Sequence, residues 1–258
     1  MVKLVILGSA NSVPDIDHEN THLMVVGAEH TVLVDCAGNP IPRLQLAKAN
    51  LEAITDVILT HFHPDHVAGV PMLLMGLWLM GRREPLHIHG LAYTLDRTET
   101  MMGLYNYQRW PGFFPVSYHR LPAEEMTPVL SFTDMHIYAS PVKHLIPTIG
   151  LRFEFPLSGQ AVAYSCDTEP CAAVVRLAEG VDLLIHEATG ETEGHSSAAQ
   201  AGMAATQAHA RALSLIHYPL QGIDPSQRAD PEALLEEARQ TFNGRVDLAT
   251  DFLTYTMG

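Results

Sequence analysis

The chain has 258 residues, of which 47% are hydrophobic and 17% charged, and this is enough apolar sequence for one sizeable core. Fifteen Lys and Arg against 29 Asp and Glu give a formal net charge of -14, which disfavours nucleic acid as a partner. The longest apolar stretch, residues 67–80, is interrupted by glycine and proline and does not predict a membrane span. Three cysteines without framework spacing, and no signal peptide pattern, predict a cytoplasmic protein.

Short apolar runs that end in turn residues predict several strands in the N-terminal half. These predicted strands are residues 3–7, 23–26, 31–35, 57–60 and 86–89, and the predicted helices are residues 44–50, 73–80 and 94–107. Residues 108–127 contain aromatic side chains and several prolines, so they predict a loop that covers a pocket. The stretch 110–114 is the candidate pocket wall within this loop.

The C-terminal half has the same alternation of strands and helices. Its predicted strands are residues 135–140, 151–155, 161–166, 183–186, 213–216 and 246–249, and its predicted helices are residues 171–179, 196–210 and 231–241. The last helix follows Asp230, an N-cap residue, with proline at its first position. Two similar α/β halves favour an αββα sandwich, in which two mixed β-sheets face each other and helices cover the outer faces. We expect one domain over residues 1–258.

A histidine-rich motif, His61-Phe62-His63-Pro64-Asp65-His66, directly follows the predicted strand 57–60. In an extended chain His61 and His63 point to the same side, so both imidazoles can reach one ion, whereas Asp65 and His66 turn toward a second position. Packing alone does not explain four potential ligands in six residues. Imidazole and carboxylate ligands without a thiolate pair favour zinc, and manganese and iron are also compatible.

Three later polar residues also stand near the carboxyl ends of predicted strands. These are His144, Asp167 and His217. Taken singly, each is compatible with an ordinary loop residue. Together with the motif, they provide enough ligands at one rim of the sheets for two divalent metal ions.

The His-x-His-x-Asp-His pattern at a strand end resembles the metallo-β-lactamase superfamily, and the resemblance covers nearly the whole chain. It implies the metallo-β-lactamase fold. It assigns the metal ligands as follows: His61, His63 and His144 on one ion, Asp65, His66 and His217 on the other, and Asp167 as a bridge between them. Asp65 also counts among the catalytic residues. His63 stands where some redox-active relatives have glutamate, which favours hydrolysis.

Further motifs resemble ribonuclease Z and its phosphodiesterase and arylsulfatase-like relatives. They are Leu-Val-Asp-Cys at 33–36, Leu-Leu-Ile-His-Glu-Ala-Thr at 183–189 and His-Ser-Ser at 195–197. The resemblance implies that His195 donates a proton to the leaving group with help from Glu187, and that the protein is a homodimer. The alternative role for Glu187 is a carboxylate that caps a helix or orients a neighbouring residue.

The sequence departs from the ribonuclease Z pattern in three places. Only 22 residues separate His144 from Asp167, which leaves no space for the long arm with which a typical member grips transfer RNA. The last motif continues as Tyr218-Pro219-Leu220, and Cys166 stands where glycine is usual. With the acidic charge, these departures predict a small-molecule ester as the substrate and disfavour transfer RNA.

The ligand set predicts a hydrolase in which two metal ions activate a water as hydroxide, most simply for attack on a small phosphodiester. Alternatives on the same site are an arylsulfatase, a lactonase or another ester hydrolase. A non-catalytic, metal-stabilised binding protein is a third hypothesis, which the complete ligand set disfavours.

Asp35 is predicted to hold a ligand histidine in place. His87 and His89 alternate in a predicted strand and have no third ligand nearby in sequence, so we interpret them as structural; Cys166 is predicted to be a core residue that faces away from Asp167.

Overall fold

Two β-sheets of seven strands each form the centre of the molecule in the computed structural model, which describes residues 2–221 and 228–258. The first sheet contains β1 (Val2–Gly8), β2 (His22–Val26), β3 (Thr31–Val34), β4 (Ile54–Ile58), β5 (Leu86–Leu91), β6 (Val116–Leu121) and β14 (Thr254–Met257). The second contains β7 (Thr127–Ser131), β8 (His136–Val142), β9 (Thr148–Phe155), β10 (Gln160–Tyr164), β11 (Leu183–Glu187), β12 (Ala212–Ile216) and β13 (Arg245–Leu248).

Both sheets are mixed. The strand order is β14-β1-β2-β3-β4-β5-β6 in the first sheet and β13-β12-β11-β10-β9-β8-β7 in the second. Strands β3 to β6 run parallel to one another, as do β10 to β13, whereas the remaining neighbours are antiparallel. This arrangement confirms the predicted αββα sandwich.

Helices cover the outer face of each sheet. Their bounds are α1 (Pro40–Leu46), α2 (Pro64–Val67), α3 (Val70–Leu79), α4 (Ala92–Leu104), α5 (Ala172–Leu177), α6 (Ala198–Gln207) and α7 (Pro231–Arg239). Local sequence explains two of the helix starts. Ser197 and Gln200 form a capping box at α6, and the Asp230 side chain accepts a hydrogen bond from the backbone N–H of Glu232 at α7. Within the described part of the chain, no helix combines the length and apolarity needed to cross a membrane.

Three apolar layers hold these elements together. Buried side chains such as Ile6 and Phe153 pack between the two sheets. Leu73 lies in the layer between the first sheet and its helices, and Ala201 lies in the corresponding layer on the second sheet. Burying apolar surface contributes about 25 cal/mol per Å², so these layers account for most of the favourable free energy of folding.

Three strands were not predicted from the sequence, and all three lie at sheet edges. Strand β6 falls within the predicted loop 108–127, and Pro128 lies in the edge strand β7. Proline lacks a backbone donor and is tolerated at an edge, where one side of the strand has no partner. The C-terminal strand β14 was also missed, and it is paired only with β1.

The carboxyl ends of several strands meet at one rim of the sandwich. His61, Asp167 and His217 follow β4, β10 and β12 within three residues, and His144 lies two residues beyond β8. A hydrogen bond of 3.2 Å from the backbone N–H of Ile149 to the carbonyl of Thr60 joins the two sheets at this rim.

Candidate metal centre

Three imidazoles converge on one point at this rim. His61 Nε2 lies 3.0 Å from His63 Nδ1, which lies 3.1 Å from His144 Nε2. Asp167 Oδ2 is 3.8 Å from His61 Nε2 and 3.9 Å from His144 Nε2. One ligand atom from each of the four residues lies within 4.8 Å of the others, so the group could hold one metal ion.

A second group lies on the other side of Asp167. Asp65 Oδ2 is 3.6 Å from His66 Nε2 and 3.5 Å from His217 Nε2. Asp167 Oδ2 is 3.5 Å from each of the same two nitrogens. The fold therefore brings together all seven residues that the resemblance assigns to metals, with Asp167 in contact range of both groups.

Several buried polar atoms in the centre lack a hydrogen-bond partner among the residues described here. They are His66 Nε2, His217 Nε2 and Asp167 Oδ1, on side chains that are at most 3% exposed. A buried polar group without a partner costs about 1–3 kcal/mol, and a metal ion would satisfy all three atoms. Imidazole and carboxylate donors suit zinc and similar divalent ions, so the residues fit the predicted pair of metals.

The carboxylates also set the charge of the centre. Burial opposes protonation of His66, but the charges of Asp167 and Asp35 outweigh it and raise the pKa of His66 well above its usual value. Burial likewise opposes ionisation of Asp167, yet His217 and His66 hold the pKa of its carboxyl well below the usual range. The site thus favours an anionic carboxylate with positive charge around it, which bound cations would supply.

Most of the converging imidazoles have a partner on the ring nitrogen that faces away from the centre. His66 Nδ1 donates to Asp35 Oδ2 at 2.8 Å, and His144 Nδ1 donates to the Gly194 carbonyl at 2.6 Å. These bonds select the tautomer that leaves Nε2 free for an ion. Asp35 is itself held by the backbone N–H of Thr60 at 2.8 Å, which agrees with its predicted positioning role.

The sequence did not point to two hydroxyl groups that orient the other ligands. Thr189 Oγ1 donates to the His217 carbonyl and lies 2.9 Å from His217 Nδ1. Thr60 Oγ1 lies 3.1 Å from His61 Nδ1. Thr189 lies within the 183–189 motif and Thr60 directly precedes His61, and these positions are the only sequence signal that could have identified them.

Gly194 is a further residue that sequence reasoning missed. Its φ of +83° and the close approach of His144, 2.9 Å from a would-be Cβ, both require glycine. Its N–H donates to Glu169 Oε1 at 3.1 Å, and Glu169 pairs with Lys143 at 2.5 Å. This ring of contacts joins His144 to the loop that carries His195.

Cys166 is a buried core residue, as predicted. Its Sγ lies 3.6 Å from His61 Nδ1, which is the ring nitrogen that does not face the other ligands. Strand β10 ends at Tyr164, and Cys166 has a φ of +54°, so the alternation of a regular strand does not extend to it.

His195 and Glu187 form a pair beside the centre. His195 Nδ1 is 3.2 Å from Glu187 Oε1, and the His195 ring lies 5.0 Å from that of His144 and 5.9 Å from that of His217. Burial lowers the pKa of His195, but the hydrogen bond and charge of Glu187 outweigh it and raise that pKa above its usual value. The imidazole therefore keeps a proton more readily near neutral pH.

Glu187 also has the structural role considered as its alternative. Its buried carboxylate accepts hydrogen bonds from the backbone N–H groups of Thr168, Thr189 and Ser196 at 3.2, 2.8 and 2.9 Å. The two roles are compatible, because one carboxylate has enough acceptor positions for the loop and for His195.

The stretch 110–114 packs against a helix instead of lining the metal centre. Trp110 stacks on Trp78 of α3 at 4.9 Å, and Trp78 Nε1 donates to the Pro111 carbonyl. Phe114 is buried in the layer between the first sheet and its helices. The aromatic side chains here serve packing.

Comparison with known proteins agrees with this geometry. A family model described as a beta-lactamase superfamily domain matches residues 30–218. Ribonuclease Z of Methanothermobacter thermautotrophicus is 26% identical over 310 aligned positions, which cover 98% of this chain and 96% of the relative. The Bacillus subtilis metallo-beta-lactamase fold protein YhfI superposes with a TM-score of 0.81 at 21% identity, covering 98% of both chains. The short form of human tRNase Z superposes with a TM-score of 0.73 at 21% identity, covering 99% of both chains.

These similarities contradict the expectation of a small-molecule partner with nucleic acid disfavoured. Relatives that align over nearly the whole chain are named ribonuclease Z, an enzyme of RNA. The expectation was wrong because net charge is a property of the whole surface, whereas metal ions and their ligands determine the field at the site. The match over most of the chain and the assembled ligand set show that this protein belongs to the beta-lactamase superfamily and is a metal-dependent hydrolase.

Proposed function

We propose that this hydrolase cleaves phosphodiester bonds in RNA. The observation that carries the proposal is the His195–Glu187 pair beside the seven-residue centre. A ribose oxygen is a poor leaving group and needs a proton, so a phosphodiesterase benefits from a placed imidazole. The ribonuclease Z relatives support RNA as the source of the phosphodiester.

In this proposal, His61, His63 and His144 hold one ion and Asp65, His66 and His217 the other, with Asp167 between them. Zinc is the proposed metal because the donors are imidazoles and carboxylates. Two bound divalent ions would lower the pKa of a water toward about 7 and offset charge on the phosphoryl oxygens.

The protein residues contribute orientation and proton transfer. Asp35, Thr189 and the Gly194 carbonyl keep the ligand imidazoles in one tautomer. Since His195 Nδ1 faces Glu187, its Nε2 is free to donate a proton. A water that has released one proton to solvent would attack as hydroxide, so that its oxygen forms the new bond to phosphorus. The bond to the ribose oxygen breaks, that oxygen takes the proton from His195 Nε2, and His195 regains a proton from solvent.

The chain is shorter than the Methanothermobacter thermautotrophicus ribonuclease Z to which it is similar. The alignment has 310 positions and the chain 258 residues, so at least 52 aligned positions have no residue here. We infer that any RNA recognition in those extra segments is missing from this protein, and that contacts near the centre select the substrate.

We also propose that the chain acts as one domain in a cytoplasmic homodimer. The cysteines Cys36, Cys166 and Cys171 are free, as is typical of a reducing compartment. Large exposed side chains near the ends of α3 and α4 support a dimer: Leu79, Met80, Leu104 and Tyr105.

Zinc-loaded protein is expected to cleave a labelled RNA hairpin that carries a single-stranded 3′ extension. The products should be resolved on a denaturing gel, and metal content measured in the same sample. His195→Ala protein, purified in parallel, is the control for contaminating ribonuclease, because its cleavage should be much slower. If the protein binds two metals per chain and cleaves no RNA, but hydrolyses an aryl sulfate or a lactone, the proposal is wrong.

Glu187→Gln is expected to shift the alkaline limb of the pH–rate profile to lower pH. The amide keeps the acceptor oxygen for the Ser196 N–H but loses the charge that raises the pKa of His195. The pKa of His195 then falls, so the donor loses its proton at a lower pH. The measurement is kcat/KM for RNA against pH. Glu193→Gln, which removes an exposed charge two residues from His195, should leave the profile in place; equal shifts in both variants would show that no specific contact is involved.

A further inference from the structure

A second cluster of histidines lies on the first sheet, apart from the catalytic centre. His87 and His89 belong to β5, and His119 belongs to β6. His89 and His119 are register partners in the parallel ladder, so all three side chains point to the same face of the sheet. Asp56 of β4, the register partner of His87, precedes His61 by five residues, about 17 Å along an extended chain.

Two of these imidazoles present ring nitrogens directly to each other. His87 Nδ1 lies 3.0 Å from His119 Nε2. The neighbouring ring nitrogens in the catalytic centre, those of His61, His63 and His144, are separated by 3.0 and 3.1 Å. The two nitrogens of the pair are therefore as close together as the ring nitrogens that converge on the proposed metal position in the catalytic centre.

The other members of the cluster hold this pair in place. His119 stacks on His89 with 4.7 Å between ring centroids and 16° between planes. His89 Nε2 in turn lies 2.8 Å from Asp56 Oδ1. A ring held by stacking and a buried carboxylate loses little freedom on binding an ion, so the cost of ordering the ligands is small.

The pair is also accessible and lies in an acidic setting. His119 is exposed and His87 half-buried, and both line a cavity of about 500 Å³ between the two sheets. Glu52 and Glu84 line the same cavity and favour a cation. Arg82 opposes them, but its guanidinium is engaged by backbone carbonyls such as those of Ile54 and Pro85.

We propose that His87 Nδ1 and His119 Nε2 form a separate, mononuclear site for a divalent transition-metal ion that prefers imidazole, such as Cu²⁺ or Zn²⁺. Water completes the coordination, since the site opens to the cavity. Without the ion, one N–H lies between the two nitrogens, and on binding the ring that carries it takes the tautomer with its proton on the other ring nitrogen. The site is independent of the proposed RNA hydrolysis.

The test is a titration of Cu²⁺, which binds imidazole most strongly among these ions, into protein whose catalytic centre is already loaded with zinc. Electron paramagnetic resonance should show one copper per chain with hyperfine lines from two nitrogens. His87→Ala and His119→Ala should each weaken binding by at least roughly ten-fold, the lower end of the loss reported for removal of an outer partner alone.

Matched variants separate this site from other copper binding. His209→Asn removes an exposed histidine elsewhere, in a left-handed conformation that asparagine tolerates, and should bind copper as the wild type does. Circular dichroism, zinc content and RNA cleavage should be unchanged in all three variants, and His119→Gln provides a second version of the change. A copper signal that persists in both His87→Ala and His119→Ala would show that the two rings only share a hydrogen bond.

Discussion

Asp167→Ala is expected to reduce hydrolysis by about a thousand-fold or more and to leave at most one metal ion per chain. Asp167 Oδ2 lies within 4 Å of ring nitrogens in both ligand groups, so the substitution removes a candidate ligand from each ion. The ions are expected to contribute several kcal/mol of transition-state stabilisation, and each 1.4 kcal/mol is about a factor of ten in rate. The measurements are metal analysis after gel filtration and RNA cleavage at saturating zinc.

The control for this variant is Asp17→Ala, which removes an exposed carboxylate and should change neither quantity. Circular dichroism of both proteins should show that the sandwich still forms. Two tightly bound ions and near wild-type cleavage in Asp167→Ala would refute the shared-carboxylate arrangement.

His195→Ala is expected to slow RNA cleavage by about a hundred- to ten-thousand-fold, the usual contribution of a general acid. The same variant should lose far less activity on bis(p-nitrophenyl) phosphate, because nitrophenolate departs without a proton. The contrast between the two substrates, measured as kcat/KM, is the specific prediction. Zinc content should not change, because His195 is not among the seven proposed metal ligands.

A comparable half-buried histidine serves as the reference. His136 contacts Ser131 on the second sheet, and His136→Ala should retain wild-type rates on both substrates. An equal loss on both substrates in His195→Ala would mean that His195 acts on substrate binding or on the metals, and the general-acid role would be withdrawn.

Both proposals place divalent metal ions in a protein of net charge -14. The seven proposed ligands include two carboxylates, Asp65 and Asp167, and five imidazoles, so two divalent ions would outweigh the negative charge of the ligand set. A phosphodiester therefore meets a favourable local field at close range, where screening by salt is weak. Net charge was therefore a poor guide to the partner, whereas the histidine-rich motif was a good guide to the chemistry of the site.

The sequence by itself predicted the sandwich, which the structure confirms, and the candidate metal ligands, which the fold brings together. The spacing His61, His63, Asp65 and His66 at a strand end needs no long-range information, because the geometry of six consecutive residues already directs their ligands. Short apolar runs likewise located most strands, because a strand that is buried on both faces is apolar at nearly every position. The edge strands β6, β7 and β14 were not predicted, because pairing with a neighbouring strand, and not their own composition, makes these segments strands.

Only the tertiary structure decided how distant residues meet. Gly194 contacts His144 across fifty positions, and Asp35 contacts His66 across thirty-one. His119 gives His87 a partner that lies thirty-two residues away, on the neighbouring strand. Such contacts depend on strand order and register, which arise from packing of the whole chain, so no local pattern specifies them.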